Sequence, residues 1–167
     1  MTNNVNIFNT FDAISKFNEI GGSEKKLRDI HDPDVLFQLS LIEEEFEELT
    51  LAMTNKNLTE TLDAIGDMIV VISGLGHRLG FNTQEIMDII NESNFSKFCY
   101  SIEEAKTSVN YYQNNDRYEN IHYELIDGVY VIKGEPKGGN NAYKILKGIN
   151  YKSPENQIKA LILENEQ

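Results

Sequence analysis

Residues 41–50 read LIEEEFEELT, and residues 60–72 read ETLDAIGDMIVVI. Both stretches have helical periodicity, and both carry acids at positions that a packed helix fills with apolar residues. At about 100° per residue, Leu39, Ile42, Phe46, Leu49 and Met53 line one side of a helix, and Phe37, Leu41, Leu51 and Ala52 line another. A helix apolar on two sides is packed on two sides. Glu43 and Glu47 fall in the polar gap beside Ser40, open to water. Glu44 and Glu48 fall inside the second apolar stripe, with Glu45 at its edge. The spacing therefore predicts two or three carboxylates in or beside a helix interface. In the second stretch, Leu62, Ala64, Ile65, Met68, Ile69, Val70, Val71, Ile72, Leu75 and Leu79 make the helix apolar nearly all round, which predicts a central position. Yet Glu60, Asp63 and Asp67 lie on one stripe, within about 60° of each other.

Charge runs are usually solvated faces, and acids in the first turn of a helix favour its dipole. The second reason covers Glu60 and Asp63. It leaves out Asp67, two turns in and flanked by apolar residues. Unpaired carboxylates in an apolar interface are costly and need cations. Arg78 and Lys97 are the nearest bases, too few to pair them all. A divalent metal is the economical answer, and an all-oxygen ligand set selects hard Mg²⁺, Mn²⁺ or Ca²⁺. Facing helices that project carboxylates inward are an established way to build such a site. A di-iron centre wants two Glu-x-x-His units, and only Glu119 and His122 supply one. Zinc is poorly served by one cysteine and three dispersed histidines. Glu44, Glu48 and Asp67 lead the metal-ligand candidates, followed by Glu45 and Asp63, with Glu60 in reserve.

Around these stretches the first 98 residues read as helical. An amphipathic helix over Phe8 to Ile20 stops at Gly21-Gly22. Asp32 caps the next helix, with Pro33 at its first position, and that helix runs to about Met53. Thr59 is the expected cap of a third, closed by Gly80 after Leu79. Thr83 is the expected cap of a fourth, over Gln84 to Phe98. Beyond residue 100 the helical period fades. Two β-rich runs, Ile121 to Ile126 and Val129 to Ile132, flank Asp127-Gly128, which predicts a hairpin. After Pro154 a short helix or a frayed tail is expected. The expected fold is all-α: a four-helix-bundle-type core with a C-terminal β-hairpin extension. Residues 1–98 would form the metal-binding core, and residues 99–167 an extension packed on it, not an independent domain.

Composition narrows the partners. Acids outnumber bases 27 to 15, for a net charge of −12. That balance argues against a general nucleic-acid binder and against docking on an anionic membrane. No apolar run reaches the roughly 18 residues of a membrane span, the N-terminus lacks a signal-peptide pattern, and the single cysteine, Cys99, fits a reducing cytoplasm. Against the acidic background, Lys133 to Lys152 holds five lysines and one acid, Glu135. Mg²⁺ held by carboxylates typically takes substrate phosphates, and Asn94, Lys97, Lys144, Lys147, Asn150 and Tyr151 are candidates to meet them. There is no nucleophile with a His/Asp partner pattern, no Walker loop and no Gly-x-Gly-x-x-Gly.

These residues resemble the all-α nucleoside triphosphate pyrophosphohydrolase superfamily, the MazG-like group that also includes dimeric dUTPases and phosphoribosyl-ATP pyrophosphohydrolases. The family's Glu-Glu-x-x-Glu is matched by Glu44-Glu45-x-x-Glu48. Its following Glu-x-x-Asp is matched less closely: Asp67 has Ala64 three residues before it, and Asp63 or Glu60 could compensate. In the phage and bacterial branch the fourth helix ends Ser-Asn-x-Ser-Lys, as do Ser93, Asn94, Ser96 and Lys97. A later Lys-Gly-x-Asn-Tyr-x-x-Pro is matched by Lys147, Gly148, Asn150, Tyr151 and Pro154. The segment from Tyr100 to Asn140 is longer than the family's linker. The resemblance implies Mg²⁺, with Mn²⁺ as substitute, held by Glu44, Glu45, Glu48, Asp63 and Asp67. It implies catalysis by Glu44, Glu45, Glu48 and Asp67, with Asn94, Lys97, Lys147, Asn150 and Tyr151 on the substrate. The implied reaction is hydrolysis of a nucleoside triphosphate between the α and β phosphates, giving the monophosphate and pyrophosphate, in a homodimer or homotetramer. The alternatives are a catalytically inactive nucleotide-binding or protein-interaction bundle of the same fold, and a structural helical protein whose acids are all solvated.

Overall fold

A computed structural model describes residues 10–139 and 142–166. The elements run α1 (Thr10–Ile20), α2 (Pro33–Thr54), α3 (Leu58–Arg78), α4 (Thr83–Phe95), α5 (Ile102–Gln113), β1 (Tyr118–Ile126), β2 (Val129–Pro136), β3 (Lys144–Ile145) and α6 (Glu155–Asn165). The chain is mostly helical, with a small three-stranded antiparallel sheet in its C-terminal part. It divides into two compact units: Met1–Met87 with Ala160–Gln167, and Asp88–Lys159. Among the described residues no helix is long and apolar enough to cross a membrane.

The first unit is built on the α2–α3 hairpin. The expected start of α1 at Phe8 lies outside the described residues; the helix ends at the expected Gly21-Gly22, with Gly22 at φ 88°. Asp32 opens α2 as expected: its side chain accepts a bond of 2.9 Å from the Asp34 amide, and Pro33 follows the cap. The cap of α3 is Asn57 and not Thr59. The Asn57 side chain accepts from the Glu60 amide, while Lys56 at φ 54° turns the chain between the two helices. Thr59 then falls within the first helical turn. Antiparallel packing is pinned at the far end by Gln38, which is buried. Its amide donates to the Val71 carbonyl at 2.9 Å and its oxygen accepts from Arg78 Nε at 2.7 Å. The Arg78 guanidinium also lies 5.7 Å from the centre of the Phe37 ring.

That packing corrects the expectation of a centrally buried α3. Its buried residues are Ala64, Ser73, Gly74, Gly76 and His77, while Leu62, Ile65, Ile69 and Ile72 are exposed. Small residues let the neighbouring backbone approach closely, so the thin side of α3 faces inward. A Cβ on Gly74 would come within 2.9 Å of Gln38 Nε2. His77 is held between the Ser15 hydroxyl and the Ser23 carbonyl, each at 2.9 Å, tying α1 and the turn after it to α3. Arg28 donates to the Arg78 carbonyl at 2.7 Å and so satisfies one of the orphan acceptors at the end of α3. The cap of α4 is Asn82, whose side chain accepts from the Gln84 amide, one residue before the expected Thr83.

The second unit holds the end of α4, α5, the sheet and the start of α6. The fourth helix stops at Phe95, short of the expected Phe98, because Cys99 is drawn into a strand-like bridge with Tyr130, bonded in both directions at 2.9 and 2.8 Å. α5 is a helix that the fading period did not predict. Its local chemistry is a variant of the capping box: Ser101 accepts from the Glu104 amide at 3.2 Å, and the Glu104 carboxylate accepts at 2.8 Å from the amide of Tyr100, one residue ahead of the cap. The hairpin forms on the expected turn. Asp127 and Gly128 both have positive φ, 49° and 83°, which aligns Ile126 with Val129 in a two-residue connection. Both strands extend beyond the expected runs, β1 through an irregularity at Asn120, where φ is 50°. Cys99, Ala105, Ile132 and Leu146 form the core between α5 and the sheet. The helix expected after Pro154 is α6.

Gly80 closes α3 at φ 89°, and a Cβ there would lie 2.6 Å from the Leu27 amide nitrogen. Both the left-handed conformation and the backbone contact resist a side chain. Gly80→Ala is expected to cost about 2–4 kcal/mol, read as a lower midpoint of urea unfolding; an unchanged midpoint would contradict this account of the turn.

Candidate functional site

The α2–α3 hairpin decides which acids meet. Gln38 packs at Gly74, so in antiparallel helices a step forward along α2 is matched by a step back along α3. Seven residues on from Gln38 is Glu45, and seven back from Gly74 is Asp67. The electrostatics agree with this register. Burial pushes the Glu45 carboxyl above its ordinary pKa, and the charges of Asp67, Glu48, Glu44 and Asp63 push it further. The five acids singled out in the sequence therefore share one electrostatic neighbourhood. None of them has a Lys, Arg or His ion-pair partner among the described residues.

Burial is distributed differently from the helical-wheel expectation. Only Glu45 is half-buried; Glu44, Glu48, Asp63 and Asp67 are exposed. Its Oε2 is enclosed and has no hydrogen-bond partner. The other acids project outward because one chain covers only one side of α2 and α3. Among the described residues no three Asp, Glu, His or Cys side chains converge closely enough to hold a metal ion. The donor chemistry nevertheless suits a hard divalent cation: carboxylate oxygens on two facing helices, one oxygen buried with no donor, and no base to neutralise them.

In the second unit the structure gathers most of the expected phosphate-binding residues. Lys97 Nζ donates to Asn94 Oδ1 at 2.7 Å at the end of α4. Lys147 Nζ sits 4.0 Å from the centre of the Tyr151 ring. The Tyr151 hydroxyl lies 3.3 Å from Ser93 Oγ. That hydroxyl is held below its ordinary pKa by the Ser93 hydroxyl and by the charges of Lys147 and Lys97. Asn94, Lys97, Lys147 and Tyr151 thus form one polar and cationic group around Ser93. Asn150 points elsewhere: its amide donates to Glu104 Oε1 at 3.0 Å. Sequence reasoning missed the anchoring role of Glu104, although Ser101-x-x-Glu104 was a visible signal for the helix that carries it. Lys144 lies on the short strand β3.

The orphaned carboxylate gives a sign for pH dependence. A raised pKa in the folded state means that ionising Glu45 opposes folding at neutral pH, and that this penalty is lost when the group protonates. In chelator-treated protein, Glu45→Gln is expected to raise the melting temperature at pH 7 by a few degrees. The gain should fade as the pH falls through the raised pKa and vanish below the ordinary carboxylate range. A melting temperature lowered at pH 7 would show that the charge is compensated.

The profile of the family described as phosphoribosyl-ATP pyrophosphohydrolase matches residues 24–94, somewhat less than half of the chain, with the carboxylates of α2 and α3 inside the match. The chain is also 32% identical over 102 residues to a protein of Acanthamoeba polyphaga mimivirus named "Uncharacterized protein L479"; the alignment covers 55% of this chain and 41% of that protein. The chain therefore spans about two fifths of the length of that relative. Carboxylate pairs on two facing helices and the match over those same helices point the same way: the segment 24–94 matches a family that is part of the MazG-like all-α NTP pyrophosphohydrolase superfamily.

Proposed function

We propose that the protein is a Mg²⁺-dependent nucleoside triphosphate pyrophosphohydrolase, with Mn²⁺ as a substitute ion, that releases the nucleoside monophosphate and pyrophosphate. The observation that carries the reading is the half-buried Glu45 carboxylate, with one oxygen enclosed and unpartnered, on a helix hairpin that brings four more acids into its field. Glu44, Glu48, Asp63 and Asp67 would hold the ion together with Glu45. When bound, such an ion neutralises phosphate charge and makes the α-phosphorus a better electrophile. Glu45 Oε2, enclosed and without a donor, is an oxygen open to take a proton. Water attacks the α-phosphorus, its proton passes to Glu45 Oε2, and the bond from the α-phosphorus to the bridging oxygen breaks to free pyrophosphate. Lys97 and Lys147 would bind phosphate oxygens, with Asn94, Asn150 and Tyr151 on the sugar or phosphates. Buried Cys99, with no second cysteine, suits a reducing cytoplasm.

The reading includes self-assembly into a four-helix bundle. Leu58, Leu62, Ile65, Ile69 and Ile72 recur every three or four residues along α3 and are all exposed. Leu39, Phe46 and Met53, spaced by sevens on α2, are exposed as well. Two such stripes want a helical partner. A second α2–α3 hairpin would supply it, in a homodimer or homotetramer. Light scattering on the eluting protein should give two or four times 19.1 kDa, and Ile65→Glu should return it to a single chain. A wild-type monomer would contradict the assembly.

One observation favours the non-catalytic alternative: Ala64, which is buried, stands where the superfamily motif has a glutamate. Turnover decides between the two. With Mg²⁺ and a panel of ribo- and deoxyribonucleoside triphosphates, chromatography should resolve monophosphate and pyrophosphate in equal amounts. Asp67→Asn should lower the rate by about 100-fold or more. Diphosphate as product would overturn the cleavage position. Nucleotide binding without turnover would favour the inactive bundle.

A further inference from the structure

The second unit contains a pocket that shares Lys147 and Tyr151 with the substrate residues named above and adds Tyr111 and Tyr112, which have no part in that reading. It has a volume of about 320 Å³ and is lined by Ser108, Tyr111 and Tyr112 of α5 and, from the later loop, by Lys147, Ile149 and Tyr151. Its walls are aromatic and its one charge is positive. Tyr111 is 60% exposed, so much of the residue is open to solvent. Tyr112 is fixed behind it: its ring stands edge-on to Tyr111 at 5.1 Å and to Tyr118 at 5.8 Å, and its hydroxyl accepts from the Lys147 amide at 3.1 Å. Ser108 Oγ accepts from the Ile149 amide at 2.8 Å and holds the other edge of the loop. Lys147 Nζ has no carboxylate within ion-pairing distance among the described residues, in a chain of net charge −12. It rests on the face of Tyr151 instead.

We infer that this pocket binds the base of a nucleotide, stacked on Tyr111, with Lys147 on the adjoining phosphate. The chemistry asks for a planar aromatic ligand that carries an anion. Base stacking on aromatic side chains is strong and tolerant of base identity, and an unpaired lysine beside the rings supplies the counter-charge. The volume lies at the small end of ligand pockets, which suits one base and not a polymer. Tyr111 and Tyr112 belong to the segment 100–140, longer than the superfamily linker, so the inference gives that segment a task. It rests on the nucleotide reading for its choice of ligand, but it concerns the second unit alone and needs neither metal nor turnover.

Calorimetric titration of the full chain in chelating buffer, with nucleoside monophosphates, the matching nucleosides and inorganic phosphate as separate probes, tests it. The monophosphates should bind more tightly than either part alone. Tyr111→Ala, at an exposed position, should weaken monophosphate binding about tenfold and leave phosphate binding unchanged. Tyr111→Phe should retain it. Lys147→Ala should weaken both monophosphate and phosphate. The inference falls if no monophosphate binds, if phosphate alone binds as tightly, or if Tyr111→Ala with an unchanged circular dichroism spectrum binds as well as wild type. Loss of monophosphate binding in Tyr111→Ala would stand even if the wild-type protein hydrolysed nothing, and turnover without any effect at Tyr111 would leave the reaction standing and remove the pocket.

Discussion

The constraint on which the first unit depends is uncompensated negative charge on the α2–α3 hairpin. Gln38 and Gly74 fix the register of the two helices, and that register commits Glu45 to the neighbourhood of Asp67. Burying a carboxylate oxygen with no donor and four acids nearby costs folding energy. A sequence selected only for stability would place glutamine or an aliphatic residue there. Strained or destabilised positions of this kind concentrate at functional sites, and a bound cation would turn the cost into binding energy.

The same hairpin has a second unmet demand. Its thin side, with Ala64, Ser73, Gly74 and Gly76, is used inside the chain, and its broad apolar stripes are left outside. The uncompensated charge and the exposed leucine and isoleucine lie on the same two helices. A helical partner for the stripes would lower the local dielectric around the acids, which raises the energetic reward for a bound cation. Assembly and metal affinity are thereby coupled in this account.

Much of this was legible in the sequence where the signal is local. The Asp32-Pro33 cap, the glycine stops at Gly21-Gly22 and Gly80, and the Asp127-Gly128 turn each rest on the chemistry of a few adjacent residues, and the structure follows them. The five acids were legible because their spacing conflicts with the apolar period around them. Their burial was not, since a helical wheel cannot say which apolar side the chain itself covers. The caps at Asn57 and Asn82 lay one or two residues from equally plausible threonines. α5 was hidden by its polar composition, with only Ser101 and Glu104 to announce it. Tyr111 and Tyr112 had no telling spacing, and the pocket they line is completed by a loop some 35 residues later in the chain.

The most direct test of the central claim is calorimetric titration of the metal-free wild-type protein with Mg²⁺ and Mn²⁺. The account predicts saturable binding of either ion that is lost in Glu44→Gln and Asp67→Asn. No binding to the wild-type assembly, with the acids left as a solvated and uncompensated cluster, would contradict it.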